Sequence, residues 1–160
     1  MFVSHLSSFS ADCKSIGCDK CCFYGEGKGA PVPKTEADSL GLAVEPGADG
    51  MTLLLQKESD RGMCCAHLGD DGCTVWDKRP FVCRYWPAML YKGEVVLSVK
   101  CPYVYRTFLS RIDGQDGFTP DDIEMFSRLR DSMRAEIPKE LEELWNHDIS
   151  KWPIVVKIRI

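Results

Sequence analysis

Apolar residues in the last third of the chain recur at helical spacing. Ile123, Phe126, Leu129, Met133 and Ile137 form one stripe, and Pro138 restarts it through Leu141, Leu144 and Trp145. Thr119 is placed to cap the first of these helices, with Pro120 opening it, Asp122 in the capping-box place and Phe118 able to staple against Ile123. A shorter stripe, Tyr105, Phe108, Leu109 and Ile112, follows Pro102 and is broken by Asp113-Gly-Gln-Asp-Gly117. Elsewhere the period is two. Tyr91-Lys-Gly-Glu94 predicts a hairpin turn, with Val95, Leu97 and Val99 on one face of its second strand. Ile154-Val-Val-Lys-Ile-Arg-Ile160 predicts a terminal strand that closes a sheet at home or adds an edge to a partner subunit. Met51–Lys57 is a further strand candidate. Thr35-x-x-Asp38 reads as a capping box that opens a short helix toward Leu42, and Tyr24–Pro33 as a glycine- and proline-rich loop.

These elements predict an α+β fold: a small irregular cysteine-rich core with short strands and a hairpin, then a helical C-terminal part and a terminal strand. With 160 residues, no repeat and no long linker, one domain is expected. Its regions are 10–105, 106–150 and 151–160. Composition narrows the class. Hydrophobic residues make up 44% and charged residues 28%, which excludes a disordered chain. A net charge of −4 argues against nucleic acid as partner, because neutralising a phosphate backbone needs a basic excess. The apolar run Met51–Leu55 falls far short of the ~20 residues of a membrane span. The first residues show neither a basic n-region nor an apolar h-region, so a cytoplasmic protein is expected.

Cysteine changes this picture. There are nine: Cys13, Cys18, Cys21, Cys22, Cys64, Cys65, Cys73, Cys83 and Cys101. An odd number without an export signal fits disulfides poorly, and several lie among Gly, Asp and Lys rather than in apolar surroundings. Metal ligation explains them better. Cys18-x-x-Cys21 is a knuckle that turns two thiolates toward one centre; Cys13 precedes it and Cys22 follows at once. In extended backbone, Cys21 and Cys22 would point to opposite faces, which suits two adjacent centres or a centre and a spare thiol. The Asp71-Gly72 turn presents Cys73 at the start of a strand, Thr74–Trp76. Pro80 at a helix's first position puts Cys83 fourth, and Pro102 puts Cys101 at a helix N-terminus. Helix N-termini favour thiolate charge.

The two halves together, Cys13…Cys18-Asp-Lys-Cys-Cys22 and Cys65…Cys73-Thr-Val-Trp-Asp-Lys-Arg-Pro-Phe-Val-Cys83-Arg-Tyr-Trp-Pro87, resemble the YkgJ-type cysteine-cluster family, described as zinc- or iron-chelating. The resemblance covers about residues 10 to 105. It implies eight ligating cysteines: Cys13, Cys18, Cys21, Cys22, Cys65, Cys73, Cys83 and Cys101. The four-residue gap after Cys13 departs from the family's two or three, and Cys64 is not required by the pattern, so Cys64→Ser should be nearly silent.

Spacing does not separate zinc from an iron–sulfur cluster. An almost all-sulfur ligand set, the vicinal pair and the aromatic surroundings (Trp76, Phe81, Tyr85, Trp86) favour an iron–sulfur centre of [4Fe-4S] type. Such a protein would serve electron transfer or stabilise a larger complex, with a protein partner; structural zinc in an interaction module is the alternative. Flagellin lysine methylases carry a similar cysteine signature, which admits a methyltransferase-like system, although no glycine-rich strand–helix unit for a methyl donor is visible. His67 is expected to be a surface or core residue rather than a ligand. Arg79 and Arg84 are expected to fix their loop by donating to carbonyls rather than to pair with sulfur charge.

Overall fold

In the computed structural model, residues 19–23, 29–48, 50–98, 100–101, 120–148 and 155–157 are described, and the chain divides into two compact units, Met1–Arg84 and Tyr85–Ile160. The first is built from short antiparallel strands. β1 (Pro31–Pro33), β2 (Val44–Pro46) and β3 (Met51–Leu54) form a sheet in the order β1-β3-β2. The end of the expected loop thus supplies an edge strand, where prolines lacking an N–H are tolerated. Gly29 allows the close approach that starts this pairing: a Cβ there would lie 1.8 Å from the Leu54 carbonyl oxygen. Helix α1 (Lys34–Leu40) follows, but the expected capping box is not formed. Pro33 occupies the cap without a side-chain bond, Thr35 lies inside the helix, and Asp38 pairs instead with Lys34 at 2.7 Å.

The strand expected over Met51–Lys57 breaks at Leu55. Its N–H donates to the Ala43 carbonyl and its own carbonyl accepts from Ala66, so Leu55 joins neighbouring segments instead of extending one ladder. Beyond it, β4 (Gln56–Ser59) and β5 (Gly62–Cys65) form a hairpin, and β6 (Leu68–Gly69) with β7 (Gly72–Cys73) a two-residue ribbon. Cys73 ends its strand rather than opening one. The Thr74 N–H and hydroxyl both donate to the His67 carbonyl, at 2.8 and 2.9 Å, which stops the ladder before Trp76. A 3₁₀ turn, Trp76–Lys78, leads to α2 (Phe81–Tyr85), whose first turn closes on the Pro80 carbonyl through Cys83 and Arg84 N–H. Pro80 is therefore the residue before the helix, and Cys83 is its third residue.

The second unit carries the two longer helices. β8 (Ala88–Tyr91) and β9 (Glu94–Ser98) form the expected hairpin. Lys92 (φ 52°) and Gly93 (φ 77°) are both left-handed, as a two-residue type I′ turn requires. Val95, Val96 and Leu97 are all buried, so β9 is covered on both faces rather than one. Helices α3 (Pro120–Glu136) and α4 (Lys139–Asp148) pack on this hairpin through Phe126, Leu129, Met133, Leu141 and Trp145. Ile123 is 42% exposed and falls outside the packed stripe. Asn146 Oδ1 accepts the Lys92 N–H at 2.7 Å, and Arg134 donates to the Gly93 carbonyl, tying both helices to the turn. The terminal strand β10 (Val155–Lys157) pairs antiparallel with β9, so the tail closes a sheet of its own chain. The helix expected after Pro102, the Thr119 cap, the Phe118 staple and Val99 lie outside the described residues. The architecture is α+β, strands first and helices last. Among the described residues no helix is long and apolar enough to cross a membrane.

Candidate metal centre

Cys13 and Cys18 lie outside the described residues. Cys101 belongs to the second unit, where it is buried just beyond β9 and its N–H donates to the Ser98 carbonyl at 3.3 Å. The remaining expected ligands, Cys21, Cys22, Cys65, Cys73 and Cys83, fall in the first unit, on four separate segments. Two stand on a 3₁₀ turn (Lys20–Cys22), one at the end of β5, one at the end of β7 and one in α2. They share one electrostatic neighbourhood. Cys22 feels the charges of Cys21, Cys65 and Cys83, and Cys65 those of Cys73, Cys64 and Cys21.

The vicinal pair departs from the extended geometry expected of it. In a 3₁₀ turn successive side chains are about 120° apart rather than opposed. The Cys22 thiol donates to the Cys21 sulfur, which draws the Cys21 pKa down and pushes that of Cys22 up; burial raises Cys22 further. The two sulfurs therefore lie together and can serve one centre.

Cys64 and Cys65 are the case where strand alternation does hold. Neighbours on β5 face opposite sides, and both are buried, at 1% and 5% exposure. Cys65 stands directly across from Gln56, so these two side chains share a face of the hairpin. Gln56 Nε2 is a buried donor without a hydrogen-bond partner. Thiolate sulfur is the acceptor that such an N–H needs, and the donor chemistry of this corner fits a thiolate-ligated group. Burial raises the Cys65 pKa, opposed by a backbone hydrogen bond from His67, and a cation is what would draw the thiolate out.

Arg79 both fixes its loop and faces the sulfurs. Its Nε donates to the Trp76 carbonyl at 2.9 Å and its guanidinium lies 3.7 Å above the Trp76 ring, which holds the loop in place. Burial lowers its pKa, while the charges of Cys83, Cys73 and Cys21 oppose that shift, so this half-buried cation also faces the sulfur set. Arg84 reaches over Phe81 at 5.9 Å. His67 is structural. Its Nε2 accepts the Ala43 N–H at 3.0 Å, which places the proton of the neutral ring on Nδ1 and leaves neither nitrogen a lone pair for a metal. Burial and then Lys57 lower its pKa, in keeping with a neutral ring.

Three supporting residues carry no signal in the sequence pattern. Glu36 Oε1 accepts the Phe81 N–H at 2.7 Å and so caps the helix of Cys83 from 45 residues away. Gln56 is recognisable only once the register of β4 on β5 is known. Arg61 ties the vicinal turn to the β4–β5 hairpin through Asp19 and Phe23. Among the described residues, no group of three or more Cys, His, Asp or Glu side chains is drawn together closely enough to hold a metal ion. No family model, curated protein or solved structure matches the chain.

Proposed function

We propose that this protein holds a thiolate-ligated metal centre, of the iron–sulfur [4Fe-4S] type, and serves electron transfer or the stabilisation of a larger complex in the cytoplasm. The ligands come from the cysteines of the first unit, Cys13, Cys18, Cys21, Cys22, Cys65, Cys73 and Cys83. The observation that carries the reading is that the half-buried Arg79 faces the charges of Cys83, Cys73 and Cys21, which come from three separate segments, with an unpartnered buried amide on the Cys65 face. An inert core would bury such thiols among aliphatic side chains, not beside Arg79. Bound there, the group supplies one-electron redox chemistry. The chain's own residues orient and shield: Arg79 offsets sulfur charge, Trp76 covers Arg79, and Glu36 and Arg61 place the segments of Cys83 and of Cys21–Cys22.

The test is iron, zinc and acid-labile sulfide on protein purified without oxygen, with a visible spectrum of the same sample. About four iron and four sulfide per chain are expected, with loss of both in Cys73→Ser and Cys83→Ser. Zinc without sulfide would replace the cluster by a structural ion, and no bound metal would refute the reading altogether.

A further inference from the structure

We propose that Arg61 is the positioning residue of the vicinal pair: a single guanidinium at the tip of the β4–β5 hairpin that grips both flanks of the Cys21–Cys22 turn. The hairpin tip itself is well fixed. Ser59 Oγ donates to the Gly62 carbonyl at 2.7 Å and accepts the Arg61 N–H at 3.2 Å, and Gly62 takes the left-handed φ of 104° that closes the turn. From there the side chain reaches 42 residues back along the chain. Arg61 Nη1 donates to Asp19 Oδ1 at 3.3 Å and Nη2 to Asp19 Oδ2, a forked pair. The face of the same guanidinium lies 4.5 Å from the centre of the Phe23 ring.

Asp19 and Phe23 are the residues on either side of Lys20–Cys22. The grip passes directly to the thiol turn, because the Asp19 carbonyl accepts the Cys22 N–H at 2.9 Å and the Lys20 carbonyl accepts that of Phe23 at 3.3 Å. The hairpin that carries Arg61 at its tip carries Cys65 at its base. Arg61 therefore sets where the vicinal pair stands relative to Cys65. Lysine cannot do the same: its ammonium is a point charge without the planar fork that binds a carboxylate edge-on while covering a ring. The consequence for metal affinity rests on the proposed thiolate centre; the positioning itself does not.

The test uses the full-length reduced protein, freed of metal, and the bifunctional thiol reagent dibromobimane. The rate of cross-linking Cys21 or Cys22 to Cys65 is read by peptide mapping. R61A is expected to slow that link by about five- to tenfold, the scale of an exposed forked ion pair with a cation–π contact. R61K should recover only part of the rate. D19R and R61E should each slow it, and the double variant D19R/R61E should exceed both. A wild-type rate in R61A, or no recovery in the double variant, would overturn the proposal. Circular dichroism confirms that the variants fold. Zinc affinity by chelator competition, run on the same proteins, judges the metal centre separately: absence of binding in the wild type would sink that reading and leave the cross-linking result for Arg61 intact.

Discussion

Cys64 and Cys65 offer a test in which two adjacent, identical and equally buried side chains should behave oppositely. Alternation along β5 sends them to different faces, and only Cys65 shares a face with Gln56. Cys64 is 1% exposed, so truncation to alanine removes roughly one methylene's worth of buried surface, about 0.8 kcal/mol, and leaves a small cavity. The sum is about 1–1.5 kcal/mol, or a melting point lower by about 2–6 °C for a chain of this length. Metal affinity should be unchanged. Cys65→Ala carries the same packing cost and in addition removes a ligand. Structural zinc in small thiolate sites contributes about 10–16 kcal/mol; divided over four ligands this predicts binding weaker by about 100-fold or more. The burial of Cys64 also revises the expectation of a silent Cys64→Ser, since a hydroxyl placed there costs about 1–3 kcal/mol unless it finds an acceptor. Chelator competition and thermal unfolding on the same three proteins measure both quantities. Equal loss of metal in the two alanine variants, or retention in Cys65→Ala, would refute the assignment.

Removing the remote cap by E36A leaves the Phe81 N–H, on a fully buried residue, without its acceptor, and should cost about 1–2 kcal/mol, with E36Q closer to wild type. Burial raises the Glu36 carboxyl above 4.5, so the folded protein holds this proton more tightly than the unfolded chain does. The Glu36 contribution to stability therefore falls as pH rises through the window just above 4.5, and E36Q should remove that part of the slope in urea titrations. His67 has the opposite sign. Burial lowers its pKa below 6.5, the unfolded chain binds the proton more readily, and stability should rise with pH through the window just below 6.5; H67Q, which keeps an acceptor for Ala43, should flatten that rise.

Much of the fold is legible in the sequence because local chemistry decides it. Pro120 and Pro138 start helices wherever their fixed φ meets an apolar stripe, and Lys92-Gly93 supplies the left-handed pair that a tight hairpin needs. Where tertiary pairing decides, the sequence is a poorer guide. Pro31–Pro33 reads as a loop until β3 offers it an edge, and nothing local places a break at Leu55, whose partners Ala43 and Ala66 lie on separate segments. The site divides in the same way. Its candidate sulfurs are visible as spacing, and an arginine in the second cysteine motif already has the charge to face them. The residues that hold those sulfurs in place act over distances of about 40 residues, Glu36 on Phe81 and Arg61 on Asp19, and no periodicity records such pairs.

The conformation of the vicinal pair bears on how many centres the protein carries. Two centres are favoured if Cys21 and Cys22 face apart, as they would in a strand. In the 3₁₀ turn they lie together, close enough for one thiol to donate to the other sulfur. Cys21, Cys22, Cys65, Cys73 and Cys83 share one electrostatic neighbourhood in the first unit, and a single tetrahedral ion or cubane takes four thiolates from the protein. A second centre would have to divide a pair that one turn holds together. One centre per chain is the expected result by native mass spectrometry of anaerobically purified protein, read as a single mass increment with the remaining thiols protonated. An increment of two centres would refute this and would require the Lys20–Cys22 turn to open when they form.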